Sequence, residues 1–320
     1  MAVYTQLSDD ELSALLAAYD IGEARTFKGI AEGVENSNFL LETGAGRFFL
    51  TIFEKRVARA DLPFFMDIMV RLAAAGFPAP RPMRTRANAL LSEVRGKACA
   101  IVTFVSGVSP RRPSAAQCRA LGVKLAEMHA ILAPMQGARA NALSLDAWAP
   151  LVQPRLALAE KLRPGLAADL DRDLAELAHA WPSGLPRGVI HADLFPDNAL
   201  LLGETVTGVI DFYFACEDAL AYDLAVCLNA WCFEEGRSYN LTKGRALIAG
   251  YESVRALTNE ERAALPTLCR GAAMRFFATR LADWAETPVG ALVQPKDPLE
   301  YADRLEFHRR VKNARGYGAT

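Results

Sequence analysis

Apolar residues first recur at helical spacing in Leu12, Leu15, Leu16 and Tyr19. They follow Ser8-Asp9-Asp10-Glu11, whose serine and glutamate sit where a capping box needs them. This predicts an amphipathic helix running to Gly22. Residues 39–41 and 47–53 are rich in β-formers, with Thr43-Gly44-Ala45-Gly46 between them as a turn, so a hairpin is expected. A helical stretch over 63–75 stops at Gly76, and Pro78, Pro80 and Pro82 then argue against regular structure before strand-like segments at 89–93 and 98–105. Past Gly107, Ser109-Pro110-Arg111-Arg112-Pro113 has the composition of a connection, and Ser114 with Gln117 forms a second capping box ahead of Leu121, Leu125, Met128 and Leu132. The remainder is periodic at 3.6 residues, with short strands only at 188–190, 199–202 and 206–210. The expectation is an α+β chain cut in two. Residues 1–107 form a small antiparallel-sheet N-terminal lobe, and 108–320 form a larger, mainly helical C-terminal lobe.

A chain of 320 residues exceeds one ordinary domain, which suits two lobes around a cleft. Hydrophobic residues at 52% and charged residues at 23% permit a large core, and no apolar run reaches the ~18 residues of a membrane span. Met1-Ala2-Val3-Tyr4-Thr5-Gln6 has neither the basic start nor the apolar block of a signal peptide, so a cytoplasmic protein is expected. Cys99, Cys118, Cys216, Cys227, Cys232 and Cys269 form no C-x-x-C pair and suit a reducing compartment. With four histidines and no paired ligand spacing, a structural zinc site is not expected. A net charge of -1 gives no footprint for nucleic acid. The basic tail over 304–315 is read as a solvated terminal helix, with binding to a polyanion as the competing idea.

The chemistry concentrates in Val189-Ile190-His191-Ala192-Asp193-Leu194-Phe195-Pro196-Asp197-Asn198, a strand running into a loop. Phosphoryl transfer asks a protein for a carboxylate to orient and deprotonate the attacking hydroxyl, and for oxygen ligands that hold magnesium on the phosphates. Asp193 can be the base. Asn198 can give magnesium a carbonyl, and Asp211, at the end of the apolar strand Val206-Thr207-Gly208-Val209-Ile210, can give it a carboxylate. Each residue alone is an ordinary loop residue, but H-x-D-x-x-x-x-N followed by a strand and Asp-Phe is a specific order.

His191 through Asn198, with Ile210-Asp211-Phe212 and Tyr222-Asp223-Leu224-Ala225, resembles the aminoglycoside phosphotransferase and choline kinase superfamily. Gly33-Val34-Glu35-Asn36-Ser37-Asn38-Phe39, Asn229-Ala230-Trp231-Cys232, and Arg275-Phe276 with Arg280-Leu281-Ala282-Asp283-Trp284 resemble its homoserine kinase branch. The resemblance spans nearly the whole chain. It implies a protein-kinase-like fold, ATP and Mg2+ as cofactors, and L-homoserine as a small-molecule partner, in a monomer or homodimer that binds neither nucleic acid nor membrane. It further implies Asp193 as catalytic base, Asn198 and Asp211 as metal ligands, His191 as a stabiliser of the catalytic loop, and Asp223 as its structural tether.

On the nucleotide side, Gly33, Asn36, Ser37 and Asn38 stand where kinase-like folds lay a turn over the phosphates, although neither G-x-G-x-x-G nor the Walker pattern is present. The strand lysine of kinases is replaced by Thr51, so the phosphate contact falls to Lys55, Arg56 or the Thr51 hydroxyl, with Asp67 the nearest counterpart of the helical glutamate. Val102 to Val105, Phe104 among them, either lends backbone groups to adenine or is an ordinary buried strand. On the acceptor side, Phe276, Arg280, Asp283 and Trp284 share a helix face, which could pair Arg280 with a carboxylate and Asp283 with an ammonium, or Arg280 with Asp283 beside a core tryptophan. Arg275 carries the same two readings, and Asn229 and Trp231 either line that pocket or pack. His129 is taken as a hydrogen-bonded core histidine. Choline would want an aromatic cage and an aminoglycoside a broad acidic cleft, and no dense acidic cluster is present. A catalytically silent nucleotide-binding protein is the competing class, kept open by Thr51 and opposed by Asp193, Asn198 and Asp211.

Overall fold

The computed structural model describes residues 4–30, 36–54, 57–135, 139–235, 237–287 and 295–319. Two compact units make up the chain. The first is Met1–Val108 together with Thr207–Tyr213, and the second is Ser109–Val206 together with Phe214–Thr320.

In the first unit, α1 (Asp9–Leu16) opens on the expected capping box, with Ser8 and Glu11 bonded reciprocally. It ends before Gly22: Ala18 and Tyr19 donate to carbonyls three residues back, tightening the last turn, and Tyr19 is buried with its hydroxyl 2.9 Å from Ser92. β1 (Ala24–Ile30), β2 (Ser37–Thr43), β3 (Gly46–Ile52), β4 (Ser92–Val94) and β5 (Lys97–Thr103) form an antiparallel sheet in the order β1-β2-β3-β5-β4. The hairpin of β2 and β3 is as expected, in a register that pairs Asn38 with Thr51. Period-two alternation puts Phe39, Leu41, Phe48, Leu50 and Ile52 on one face against Leu12, Leu15 and Leu16 of α1. Strand β1 is an addition to the sequence reading. Its Arg25 and Lys28 are exposed and its burial does not alternate, as befits a charged sheet edge rather than a half-buried strand.

α2 (Leu62–Ala74) carries a proline in its first turn and closes at Gly76, whose φ of +73 suits the C-terminal stop. The proline stretch that follows is more ordered than its composition suggests. Met83 donates to Ile101 and Thr103 to Arg81, so 81–83 lies along β5, with Pro82 at a bridge to Val102. The segment Thr207–Tyr213 belongs here because Val209 donates its N–H to Pro78 at 2.7 Å and Thr207 its hydroxyl to Ser106 at 2.6 Å. A cut at Gly107 alone therefore omits part of the first unit.

The second unit begins with α3 (Ala115–Leu132), capped by Ser114 and Gln117 as expected, followed by α4 (Leu145–Val152), α5 (Leu156–Leu162) and α6 (Leu166–Ala180). β6 (Arg187–Ile190) leads to the loop of interest, and β7 (Ala199–Leu202) turns at Gly203 into β8 (Thr205–Val209), along which the chain leaves this unit. On its return, β9 (Cys216–Ala219) pairs antiparallel with β6, setting Ile190 opposite Cys216. This strand too is additional, since Cys-Glu-Asp-Ala carries none of the residues that mark strands. Then come α7 (Leu220–Trp231), α8 (Leu241–Glu252), α9 (Asn259–Glu286) and α10 (Leu299–Arg310). α3 and α8 touch backbone to backbone: a methyl group on Gly122 would stand 2.1 Å from the Leu247 carbonyl oxygen. All six cysteines are buried thiols. The basic tail is not a solvated helix. Arg304 is buried, and Arg309 reaches Asp169 at 3.0 Å and the buried Asp173 at 2.6 Å.

Candidate active site

The loop after β6 is shaped by its backbone demands. Ala192 takes φ +63, a left-handed conformation costing an alanine on the order of 1–3 kcal/mol, and it persists only where neighbours impose it. Asp223, buried in the first turn of α7, imposes it: one carboxylate oxygen accepts the His191 N–H at 2.7 Å and the other the Ala192 N–H at 2.9 Å. His129 stands 3.1 Å from the same carboxylate through Nε2, and its Nδ1 is 2.9 Å from the Tyr251 hydroxyl. Burial alone would push the Asp223 carboxyl up. The His129 bond, the nearby imidazoles and the His191 N–H outweigh it and hold the carboxyl below its ordinary value. The expected tether and the expected core histidine are thus one network.

Asp193 follows. His191 is fully buried, and its Nδ1 accepts the Asp193 N–H at 3.3 Å, so it acts on the loop. Asn198, at the end of a 3-10 turn begun by Pro196, donates Nδ2 to the Asp193 carbonyl at 2.8 Å and to its Oδ2 at 3.1 Å. That use of the amide nitrogen leaves the Asn198 oxygen without a hydrogen-bond partner among the described residues, and an amide oxygen is a donor that magnesium accepts. Trp231 donates Nε1 to the Leu194 carbonyl at 2.9 Å. Arg275, 2% exposed, donates Nη1 to the Ala192 carbonyl and sets Nη2 3.9 Å from Asp193 Oδ1. The carboxylate is therefore flanked by Asn198 and Arg275, while about a fifth of the Asp193 side chain remains open to solvent.

These contacts redistribute the acceptor-side expectations. Trp231 and Arg275 hold the loop from behind. Asn229 stands apart, buried, with Nδ2 donating to the Ala225 and Cys269 carbonyls and Oδ1 accepting from His308 Nε2 at 3.0 Å, so its side chain is spent inside the fold. Phe276 packs edge-on against Phe195 of the loop, centroids 4.7 Å apart. Arg280, one turn on, does not pair with Asp283. Its Nη1 donates to Glu300 at 2.5 Å and to the Asp297 carbonyl at 3.1 Å. Asp283 and Trp284 are exposed, so the tryptophan is no core residue, because α9 has by then run past the elements that cover Phe276 and Arg280. Glu300 and Tyr301 have no place in the sequence reading and Arg304 figures there only as the start of the basic tail; their only local signal is the Glu300 to Arg304 spacing of four on α10.

In the first unit Gly33 and Lys55 lie outside the described residues. Asn36 Oδ1 accepts the Glu54 N–H at 3.2 Å. The Ser37 hydroxyl accepts the N–H groups of Tyr4 and Thr5 and donates to Glu54 at 2.8 Å, so both residues brace the strand ends. Thr51 donates to Asn38 Oδ1 at 2.9 Å across the hairpin. Its hydroxyl also meets the phenol of the half-buried Tyr213, which Phe53 and Phe65 box edge-on at 5.2 and 5.7 Å. Burial and then the charge of Asp211 push that phenol up, and Thr51 opposes them. Asp211 itself is left-handed at φ +64, immediately past β8. A basic group that the sequence reading passed over, Lys97, donates to the Thr5 hydroxyl at 2.7 Å and pairs with Glu54. Phe104 lies beyond the end of β5, stacked on Phe49 at 5.3 Å beneath Arg47, and its N–H goes to the Arg47 carbonyl, so that amide is not available to a base.

The family described as the phosphotransferase enzyme family matches residues 26–257. The chain belongs to the phosphotransferase enzyme family. This phosphotransferase is 57% identical to a homoserine kinase of Hyphomonas neptunium over the full length of both chains, and 57% identical to one of Xanthobacter autotrophicus with 99% of each covered. Among solved structures it is similar to an amicoumacin kinase bound to AMP-PNP and Ca2+ (TM-score 0.70, 14% identity, 96% of this chain and 95% of that one) and to a spectinomycin phosphotransferase (TM-score 0.66, 13% identity, 98% of each). Those likenesses establish the protein-kinase-like fold. The phosphotransferase is thus an ATP-dependent enzyme acting on a hydroxyl group. Among the described residues, no helix is long and apolar enough to cross a membrane.

Proposed function

We propose that the protein is a homoserine kinase, transferring the γ-phosphoryl group of ATP to the side-chain hydroxyl of L-homoserine to give O-phospho-L-homoserine and ADP, a cytoplasmic step of threonine biosynthesis. The full-length likeness to homoserine kinases supports the acceptor. The observation that carries the chemistry is the Asp193 carboxylate, fixed by Asn198 and flanked by Arg275 yet partly open. Asp193 accepts the proton of the homoserine hydroxyl as its oxygen bonds to the γ-phosphorus, and the bond from that phosphorus to the ADP oxygen breaks. Magnesium, when bound, offsets the phosphate charge, and the Asn198 oxygen and the Asp211 carboxylate are the donors we assign to it. We assign nucleotide binding to the first unit, through the residues around Asn38 and Thr51, and acceptor binding to the second.

An ADP-release assay over homoserine, choline, serine and an aminoglycoside tests this. Homoserine should be strongly preferred, and Asp193→Ala should lower kcat by about 10²- to 10⁴-fold, the usual cost of losing a general base. Near-normal turnover by that variant, or equal inactivity of the wild type toward all four compounds, overturns the assignment.

A further inference from the structure

Arg280 is only half used. It is 9% exposed, its Nη1 is given to Glu300 and to the Asp297 carbonyl, and among the described residues neither Nε nor Nη2 has a hydrogen-bond partner. A guanidinium so far withdrawn from water is costly unless its charge and donors are met. Its Nε–Nη2 edge is the one that grips a carboxylate with two parallel hydrogen bonds. Two guanidinium groups stand by the Tyr301 ring, Arg280 at 4.5 Å and Arg304 at 4.2 Å from its centroid, and Glu300 bridges both. Burial pushes the Glu300 carboxyl up, but Arg304 and Arg280 draw it below the ordinary range, so it stays ionised near neutral pH. Two cations against one anion leave a surplus of one positive charge.

That surplus lies beside the catalytic loop. Along α9, Arg275 meets Asp193, Phe276 fits between Phe195 at 4.7 Å and Tyr301 at 5.4 Å, and Arg280 stands five residues, or about 7.5 Å of helix rise, past Arg275. Among the described residues the buried Tyr301 hydroxyl has no hydrogen-bond partner, and it lies within the field of Asp193. A four-carbon acceptor whose hydroxyl is at Asp193 has its far end in this region.

We propose that α10 sets acceptor selectivity: Glu300, by clamping Nη1 of Arg280, aims the open Nε–Nη2 edge of that guanidinium at the α-carboxylate of the amino-acid acceptor. Glu300 is then a positioning residue. The inference rests on the reading of this site as an amino-acid kinase, and it adds what selects the acid from the corresponding amine.

The experiment compares L-homoserine with 3-amino-1-propanol, which keeps the alcohol and the ammonium and lacks the carboxylate, scored as substrate or as competitive inhibitor. Glu300→Gln preserves the shape and removes the charge. Losing part of a charge-assisted clamp of about 1.5–3 kcal/mol should raise KM for homoserine about ten- to a hundredfold, with kcat little changed. The constant for 3-amino-1-propanol should not move, and Glu300→Asp should recover part of the loss. Equal weakening toward both compounds makes Glu300 a merely structural residue and overturns the clamp, as does an unchanged KM for homoserine. A wild-type enzyme that phosphorylates choline or an aminoglycoside but not homoserine overturns the acceptor reading itself, and the clamp with it.

Discussion

Asp223→Asn asks how much of catalysis is stored in one buried tether. In the wild type both carboxylate oxygens face donors, the His191 N–H at 2.7 Å, the Ala192 N–H at 2.9 Å and His129 at 3.1 Å. An amide keeps one oxygen and turns an N–H group toward a backbone N–H. One charge-assisted bond worth about 1.5–3 kcal/mol is lost, and a buried donor left unmet costs about 1–3 kcal/mol more. The fold can escape part of this by letting Ala192 leave its left-handed conformation, which returns the 1–3 kcal/mol of order-of-magnitude strain held there. That escape displaces Asp193, the next residue. A shift of ~1 Å in a reacting group can cost about 10²-fold in rate. The expected outcome is therefore a fall in kcat of about 10²-fold or more, with a loss of about 2–4 kcal/mol in urea-induced unfolding. Adding Ala192→Gly should restore part of kcat, because glycine holds φ +63 without strain. A kcat within about threefold of wild type in the single variant refutes the tether.

Acid stability offers a second check. Burial, then the charges of Arg304 and Arg270, push the His308 imidazole down to about 3, whereas the unfolded chain titrates near 6.5. Between those values the unfolded state takes a proton that the folded state refuses, so stability is full above pH 6.5 and falls as pH drops, by up to ~1.4 kcal/mol per unit. Urea titrations at pH 7, 6 and 5 should show that slope flattened in His308→Gln, and identical slopes would count against the assignment. Gly122→Ala places a methyl 2.1 Å from the Leu247 carbonyl and 2.8 Å from the Tyr251 N–H group, against backbone that cannot swing aside. It should cost about 1–3 kcal/mol or more by overpacking, and because Tyr251 bonds His129 it should lower kcat as well. Unchanged melting in that variant would mean that α3 and α8 are looser than they look.

What could be read in the chain beforehand was mostly local. The capping boxes at Ser8 and Ser114 and the hairpin turn at 43–46 are written within four residues, and the structure has them. The loop over 191–198 could be read because its residue order is dictated by one strand and one turn. Elements that depend on distant partners were not legible. β1 is a charged sheet edge without alternation, and β9 is an acidic tetrapeptide stabilised by its pairing with β6. The polar residues of α9 and α10 gave the least away. Asn229 reads in sequence either as a pocket residue or as packing, and it is consumed by Ala225, Cys269 and His308. Arg309 looks like surface and meets Asp173, 136 positions earlier. Arg280 was picked out for its type and spacing, but its partner, Glu300, lies on another helix twenty positions away.

The membership of Thr207–Tyr213 in the first unit bears on how such chains can recombine. An exchange of the first unit between relatives, made at a single crossover near Val108, would leave Asp211 and Tyr213 behind in the other parent's background. A faithful swap needs three junctions, at 108/109, 206/207 and 213/214. The acceptor contact proposed above carries no such burden: α9 and α10 follow one another in the last fifth or so of the chain, so both can be exchanged as one C-terminal stretch.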